Sequence, residues 1–114
     1  MEFKPSQPLT VGIELELQLV NKRNYDLTRA SFDLMEIVKK KKISFDIKPE
    51  VTESMIEIAS KPHAKILDLE IELNLINSEL LSIANTLNIG ICGGGTHPFQ
   101  DWTERQIFPA KRYI

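Results

Sequence analysis

Cysteine is almost missing from this chain: its 114 residues include one, Cys92. No internal disulfide can form, and a fold without one fits a reducing cytoplasm. No apolar run approaches the ~20 residues a helix needs to cross a bilayer. The first eight residues, Met1 to Pro8, lack the hydrophobic core of a signal peptide. No membrane association is therefore expected. An excess of either charge is missing too. Fourteen Lys and Arg face sixteen Asp and Glu, a net charge of −2, so the basic footprint of a nucleic-acid binder is absent. There is no Walker lysine-serine, no Gly-x-Gly-x-x-Gly, and no Ser/His/Asp or Cys/His pairing. Internal repeats and low-complexity linkers are absent. What remains, 42% apolar and 26% charged residues, is the composition of one soluble globular domain with a modest core.

The clearest pattern present is strict alternation from Leu9 to Leu19. Leu9, Val11, Ile13, Leu15, Leu17 and Leu19 occupy the odd positions, and Thr10, Gly12, Glu14, Glu16 and Gln18 the even ones. Period two predicts a strand over about 9–20 with one face in the core. Asn21 to Asn24 reads as a turn. Asp26 or Thr28 is placed to cap a helix over about 30–41, with Phe32, Leu34/Met35 and Ile37/Val38 as its apolar stripe. The run Lys39–Lys42 suits the negative end of that helix dipole better than a phosphate or membrane patch. Extended pieces follow at about 43–48 and 51–58, separated by Pro49. In the second, Ile56 and Ile58 share one face, and Glu53, Met55 and Glu57 the other. A helix over 50–59 is shortened to marginal length by Pro49 and Pro62, which favours the strand. The longest element is a helix over about 63–87, in which Ile66, Leu69, Leu73, Ile76, Leu80, Ile83/Ala84 and Leu87 step by three or four. Ser60 and Pro62 fit its cap and first turn. A short strand, Ile89 to Cys92, leads into Gly93-Gly94-Gly95, and Cys92 reads as a buried structural thiol. Interspersed, half-exposed strands and helices predict an α+β fold: an antiparallel or mixed sheet with helices packed on one face.

Chemistry is concentrated in carboxylates. Glu14 and Glu16 lie on one strand face, roughly 6.5–7 Å apart, where two charges repel by about 2.4 kcal/mol at an effective dielectric of about 20. Such a pair stands on an exposed face or beside a cation. Glu14, Glu16, Glu50 and Glu57 recur on the polar sides of extended segments, and if the first and third strands share a sheet, they converge. Hard oxygen donors of this kind select Mg²⁺ or Mn²⁺ over zinc; the competing reading is glutamates solvated on an open sheet face. Three glycines after a strand permit unusual torsions or close ligand approach. His97 beside them is a candidate for orienting a substrate, or a structural histidine, while His63 has no companion feature.

Three motifs occur in order: Thr10-Val11-Gly12-Ile13-Glu14-Leu15-Glu16, Val51-Thr52-Glu53-Ser54-Met55-Ile56-Glu57-Ile58, and Ile91-Cys92-Gly93-Gly94-Gly95-Thr96-His97-Pro98-Phe99. The tail Pro109-Ala110-Lys111-Arg112-Tyr113 completes the set. Over nearly its whole length the chain resembles the type 2 glutamate–cysteine ligases, a family of carboxylate–amine ligases. The resemblance implies part of a catalytic sheet like that of the glutamine synthetase superfamily, with ATP and Mg²⁺ (or Mn²⁺) on its concave face. It implies ligation of glutamate or a similar carboxylate, activated as an acyl phosphate, to an amine such as cysteine. Carried onto this sequence, Glu14, Glu16, Glu50 and Glu57 become metal ligands. Thr96 becomes a cofactor-binding residue beside the substrate, and His97 and Arg112 become catalytic, Arg112 on the amino-acid side. Family members are several times longer, so the chain is expected to be an N-terminal fragment, inactive alone, whose open sheet edges favour a homo-oligomer. The alternative from another class is a non-catalytic metal- or partner-binding α+β module.

Overall fold

Alternating apolar residues build four strands, and two helices cover one face of the sheet they form. A computed structural model describes residues 9–94, 97, 98, 103 and 105–111. In chain order the elements are β1 (Glu14–Asn21), α1 (Ser31–Lys40), β2 (Asp46–Pro49), β3 (Met55–Ala59), α2 (Ile66–Leu87) and β4 (Ile89–Cys92). The sheet order is β2-β3-β1-β4, and every pairing is antiparallel. The expected α+β architecture is present, and the sheet is antiparallel rather than mixed. Among the described residues, no helix is long and apolar enough to cross a membrane.

The core lies between sheet and helices. Leu19 of β1, Ile47 of β2, Ile56 and Ile58 of β3 and Ile89 of β4 meet Leu34 and Val38 of α1 and Ile76, Leu80 and Ile83 of α2. These are the period-two and period-3.6 positions of the sequence. Ile56 is fully buried; truncation to alanine there costs about 2–5 kcal/mol.

Several boundaries depart from the periodic reading, each for a local reason. β1 begins at Glu14, not near Leu9. Its partner β3 ends at Ala59, after which Ser60 takes over: its N–H donates to the Ile13 carbonyl, and its Oγ accepts the Ile13 N–H, both at 2.8 Å. Beyond that, only an isolated bridge joins Val11 to His63. Leu9 is 95% exposed with φ 63°. Ser60 and Pro62 therefore extend the sheet instead of starting α2, whose N-cap is Lys65. α1 has no side-chain cap, so neither Asp26 nor Thr28 serves; the Ser31 N–H donates to the Glu53 carbonyl instead. β2 and β3 are shorter than the alternation suggests. Val51 to Glu53 pair with the later segment, where Glu53 N–H donates to Gln106 O at 2.7 Å and Phe108 N–H to Val51 O at 2.8 Å. Glu53 thus serves the fold through its backbone. Pro49 closes β2, an edge strand that tolerates a missing donor. Cys92 is exposed rather than buried, because it ends β4, the other edge strand of the sheet.

A carboxylate fastens the entry to α2. Glu72 accepts the Lys61 N–H and the His63 Nε2, each at 2.7 Å. Burial pushes the Glu72 carboxyl up, but the Lys61 N–H, the His63 hydrogen bond and both positive charges outweigh it, so its pKa lies below the ordinary value. A depressed folded pKa gives stability that is present above the unfolded value and lost as pH falls through the folded one. Urea unfolding between pH 7 and 3 should show this acid-side loss in the wild type. The loss should shrink in Glu72→Gln, and an unchanged acid slope in that variant would contradict the clamp.

Candidate metal centre

The register of the sheet decides which side chains meet on its uncovered face. Odd residues of β1 and even residues of β3 point to the helices, so Glu14, Glu16 and Gln18 share the opposite face with Met55 and Glu57. Glu16 and Glu57 are direct Cα partners, and Lys48 of β2 stands opposite Glu57 on its other side. Like charges placed directly across a strand pair are destabilising. Glu50, one residue beyond β2, closes the group: Glu16, Glu50 and Glu57 each present a carboxylate oxygen, all within 4.8 Å of one another. Two full charges at that spacing repel by about 3 kcal/mol at an effective dielectric of about 20.

Protonation follows this crowding. The Glu50 carboxyl, hydrogen-bonded to Glu57, holds the Glu57 pKa above the ordinary range. Burial, the Glu50 charge and Asp46 add to the rise, and Lys48 opposes it. The same crowding makes Glu57 take up a proton more readily than an ordinary glutamate. A hard divalent cation offers another relief, and an all-carboxylate donor set suits Mg²⁺ or Mn²⁺. The residues present therefore fit such an ion.

Glu14 lies on the same face but outside the trio. It lines a cleft of about 380 Å³ with Leu15, Glu16, Glu57 and Gly94. Gly94 has φ +110°, and a Cβ at Gly93 would meet nothing within 4 Å. The glycine run thus supplies a torsion closed to other residues at Gly94 and open space at Gly93. His97 lines a different cavity, with Gln18, Tyr25, Cys92 and Gly93. It is 5% exposed, and its Nε2 lies 2.7 Å from the carbonyl of Tyr25. A carbonyl only accepts, so Nε2 carries the proton. Tyr25 has φ 62°, an uncommon torsion for a tyrosine, and this bond ties it to the segment after β4. Thr96 and Arg112 lie outside the described residues.

Two polar residues on this face escaped sequence reasoning. Gln18 is 1% exposed, and its Nε2 has no hydrogen-bond partner; an unpaired buried amide costs about 1–3 kcal/mol. Its even position in β1 predicted exposure instead. Arg105 sits in the aperiodic C-terminal segment, with its Nε buried and unpartnered.

An open antiparallel sheet, with helices on one side and converging carboxylates on the other, defines an α+β platform suited to holding divalent cations. Comparison with known proteins gives the family. The model described as Glutamate-cysteine ligase family 2 (GCS2) matches residues 10–114, and the chain belongs to that family. It is 51% identical over 113 residues to a protein of Herminiimonas arsenicoxydans named "Putative glutamate--cysteine ligase 2". It is equally similar to the protein of that name from Janthinobacterium sp. (strain Marseille), and 47% identical over 114 residues to that of Laribacter hongkongensis (strain HLHK9). Each alignment covers 99–100% of this chain and 30% of the relative. The chain therefore spans about a third of the length of these curated relatives.

The raised Glu57 pKa sets a sign. Its stabilising contribution is present below the ordinary carboxylate value and lost as pH rises through the raised one. At pH 7 without divalent ions, Glu57→Gln should be more stable than the wild type by up to about 1 kcal/mol, since it removes a like-charge cross-strand pair. Excess Mg²⁺ should stabilise the wild type and not the variant. Chemical unfolding with and without Mg²⁺ measures both, and equal Mg²⁺ stabilisation of the two proteins would contradict the assignment.

Proposed function

We propose that this chain forms the metal-bearing face of an ATP-dependent carboxylate–amine ligase of the glutamate–cysteine ligase type. The observation that carries the reading is the meeting of Glu16, Glu50 and Glu57 from separate segments within 4.8 Å, in a chain whose family is one of ligases. The reaction needs such a face. ATP and a carboxylate substrate are both anions, and phosphorylating the carboxylate to an acyl phosphate brings them into contact before the amine attacks and phosphate leaves.

Glu16, Glu50 and Glu57 would hold Mg²⁺ or Mn²⁺, with Glu14 along the adjoining cleft. When bound, the ion supplies positive charge that offsets repulsion between phosphate and carboxylate oxygens. The protein's own contribution is placement. The sheet register fixes the glutamates, Gly93 and Gly94 leave room beside them, and His97 anchors the segment that follows to the Tyr25 carbonyl. Thr96 and Arg112 belong to this reading through the family motifs, as cofactor-side and amino-acid-side residues. Glutamate or a similar carboxylate, an amine such as cysteine, and ATP are its small-molecule partners. A cytoplasmic setting accords with ATP use and the free thiol of Cys92. The two edge strands, β2 and β4, accord with a homo-oligomer.

Calorimetric titration of the chain with Mg-ATP tests the proposal. Binding should require the divalent ion and be lost in the Glu16→Gln/Glu57→Gln double variant. Binding that survives both changes would overturn it. In a protein extended to the full length of the relatives, Mn²⁺ binding without nucleotide binding would assign the acidic face to a non-catalytic cation-binding module instead.

A further inference from the structure

Two hydrogen-bond donors on the open face lack acceptors, and both stand beside Met55. The Nε2 of Gln18 is buried without a partner, and Gln18 is flanked by its Cα partners Met55 on β3 and Cys92 on β4. The Nε of Arg105 is likewise buried without a partner, and among the described residues its Nη1 reaches the Met55 sulfur, at 3.9 Å, a weak acceptor. No described carboxylate pairs with Arg105. A cavity of about 310 Å³ opens beside Gln18, bounded by Tyr25, Cys92, Gly93 and His97. Folded proteins rarely leave buried donors unpaired, and an exception calls for an explanation.

We propose that Gln18 and Arg105 form a carboxylate-binding subsite, in which oxygens of an anionic ligand accept from the amide and from the guanidinium fork. The inference rests on the ligase reading and deepens it. Gln18 follows Glu16 on the same face of β1, one side-chain step of roughly 6.5–7 Å away. A short dicarboxylic amino acid can span that step. Its reacting carboxylate lies toward the glutamate trio, and its second carboxylate takes up the donors of Gln18 and Arg105. Selectivity for two acidic groups follows, because a ligand lacking the second carboxylate leaves both donors unpaired.

The test is an NMR titration of the isotope-labelled chain with L-glutamate and with L-isoglutamine, whose α-carboxylate is replaced by a carboxamide, at saturating Mg²⁺. Glutamate should bind at least about tenfold more tightly. Gln18→Met and Arg105→Met should each remove that preference, while Mn²⁺ affinity measured by electron paramagnetic resonance stays at the wild-type value. Gln18→Met conserves volume and deletes an unpaired polar group, so its thermal midpoint should equal or exceed that of the wild type. A wild type that binds neither ligand, or shows no preference, overturns the subsite, as do variants that keep the preference. Failure of the metal reading is separable. It would show as unchanged Mn²⁺ affinity in Glu16→Gln, with the glutamate preference intact.

Discussion

The structure turns on one electrostatic conflict. Antiparallel pairing of β1 with β3 sets Glu16 directly against Glu57, and the chain after β2 brings Glu50 to the same point. An ordinary sheet alternates sign or uses neutral residues at such positions. Here Lys48 is the cation on the row, and it also pairs with Asp46 at 3.4 Å on the surface, where an ion pair contributes little. The crowding shows in the Glu57 carboxyl, which Glu50, burial and Asp46 hold above the ordinary carboxylate range. On the proposed reading, binding of a hard divalent cation would offset the repulsion that the sheet register imposes.

The rest of the fold keeps that conflict in place. The helices bury the other face of the sheet, so a one-residue slip of β1 would put Leu17 and Leu19 in solvent and the glutamates in the core. Ser60 continues the ladder past β3, and Glu72 with His63 fixes the turn into α2. Glu53 joins the start of α1 to the segment at 105–108 through backbone bonds alone. On the same sheet face Gln18 carries a buried amide without a hydrogen-bond partner, across from Met55, whose sulfur Arg105 reaches at 3.9 Å.

Much of this was legible in the sequence. The core residues Leu19, Ile56, Ile76 and Ile83 follow from periodicity, and β4 from its bracketing by Asn88 and the glycines. Convergence of Glu14, Glu16, Glu50 and Glu57 was conditional on the first and third strands sharing a sheet, which they do, with Glu14 outside the trio. Element ends were less legible because tertiary partners set them. The Ser60 hydroxyl, read as a helix cap, bonds Ile13, and the ends of β1 and β3 follow from where their partners stop. Burial of Gln18 was illegible because its surroundings are remote in sequence: Met55 and Cys92 flank it on the neighbouring strands, and His97 lines the same cavity. Arg105 lay in a segment with no period to read. Cys92 looked buried from its apolar neighbours, yet an edge strand leaves it exposed.

The most direct test of the central claim is a crystal of the chain grown with Mn²⁺, with anomalous scattering measured at the manganese edge. The account predicts an anomalous peak bonded to carboxylate oxygens of Glu16, Glu50 and Glu57. A peak elsewhere, or an empty trio at saturating Mn²⁺, would contradict it.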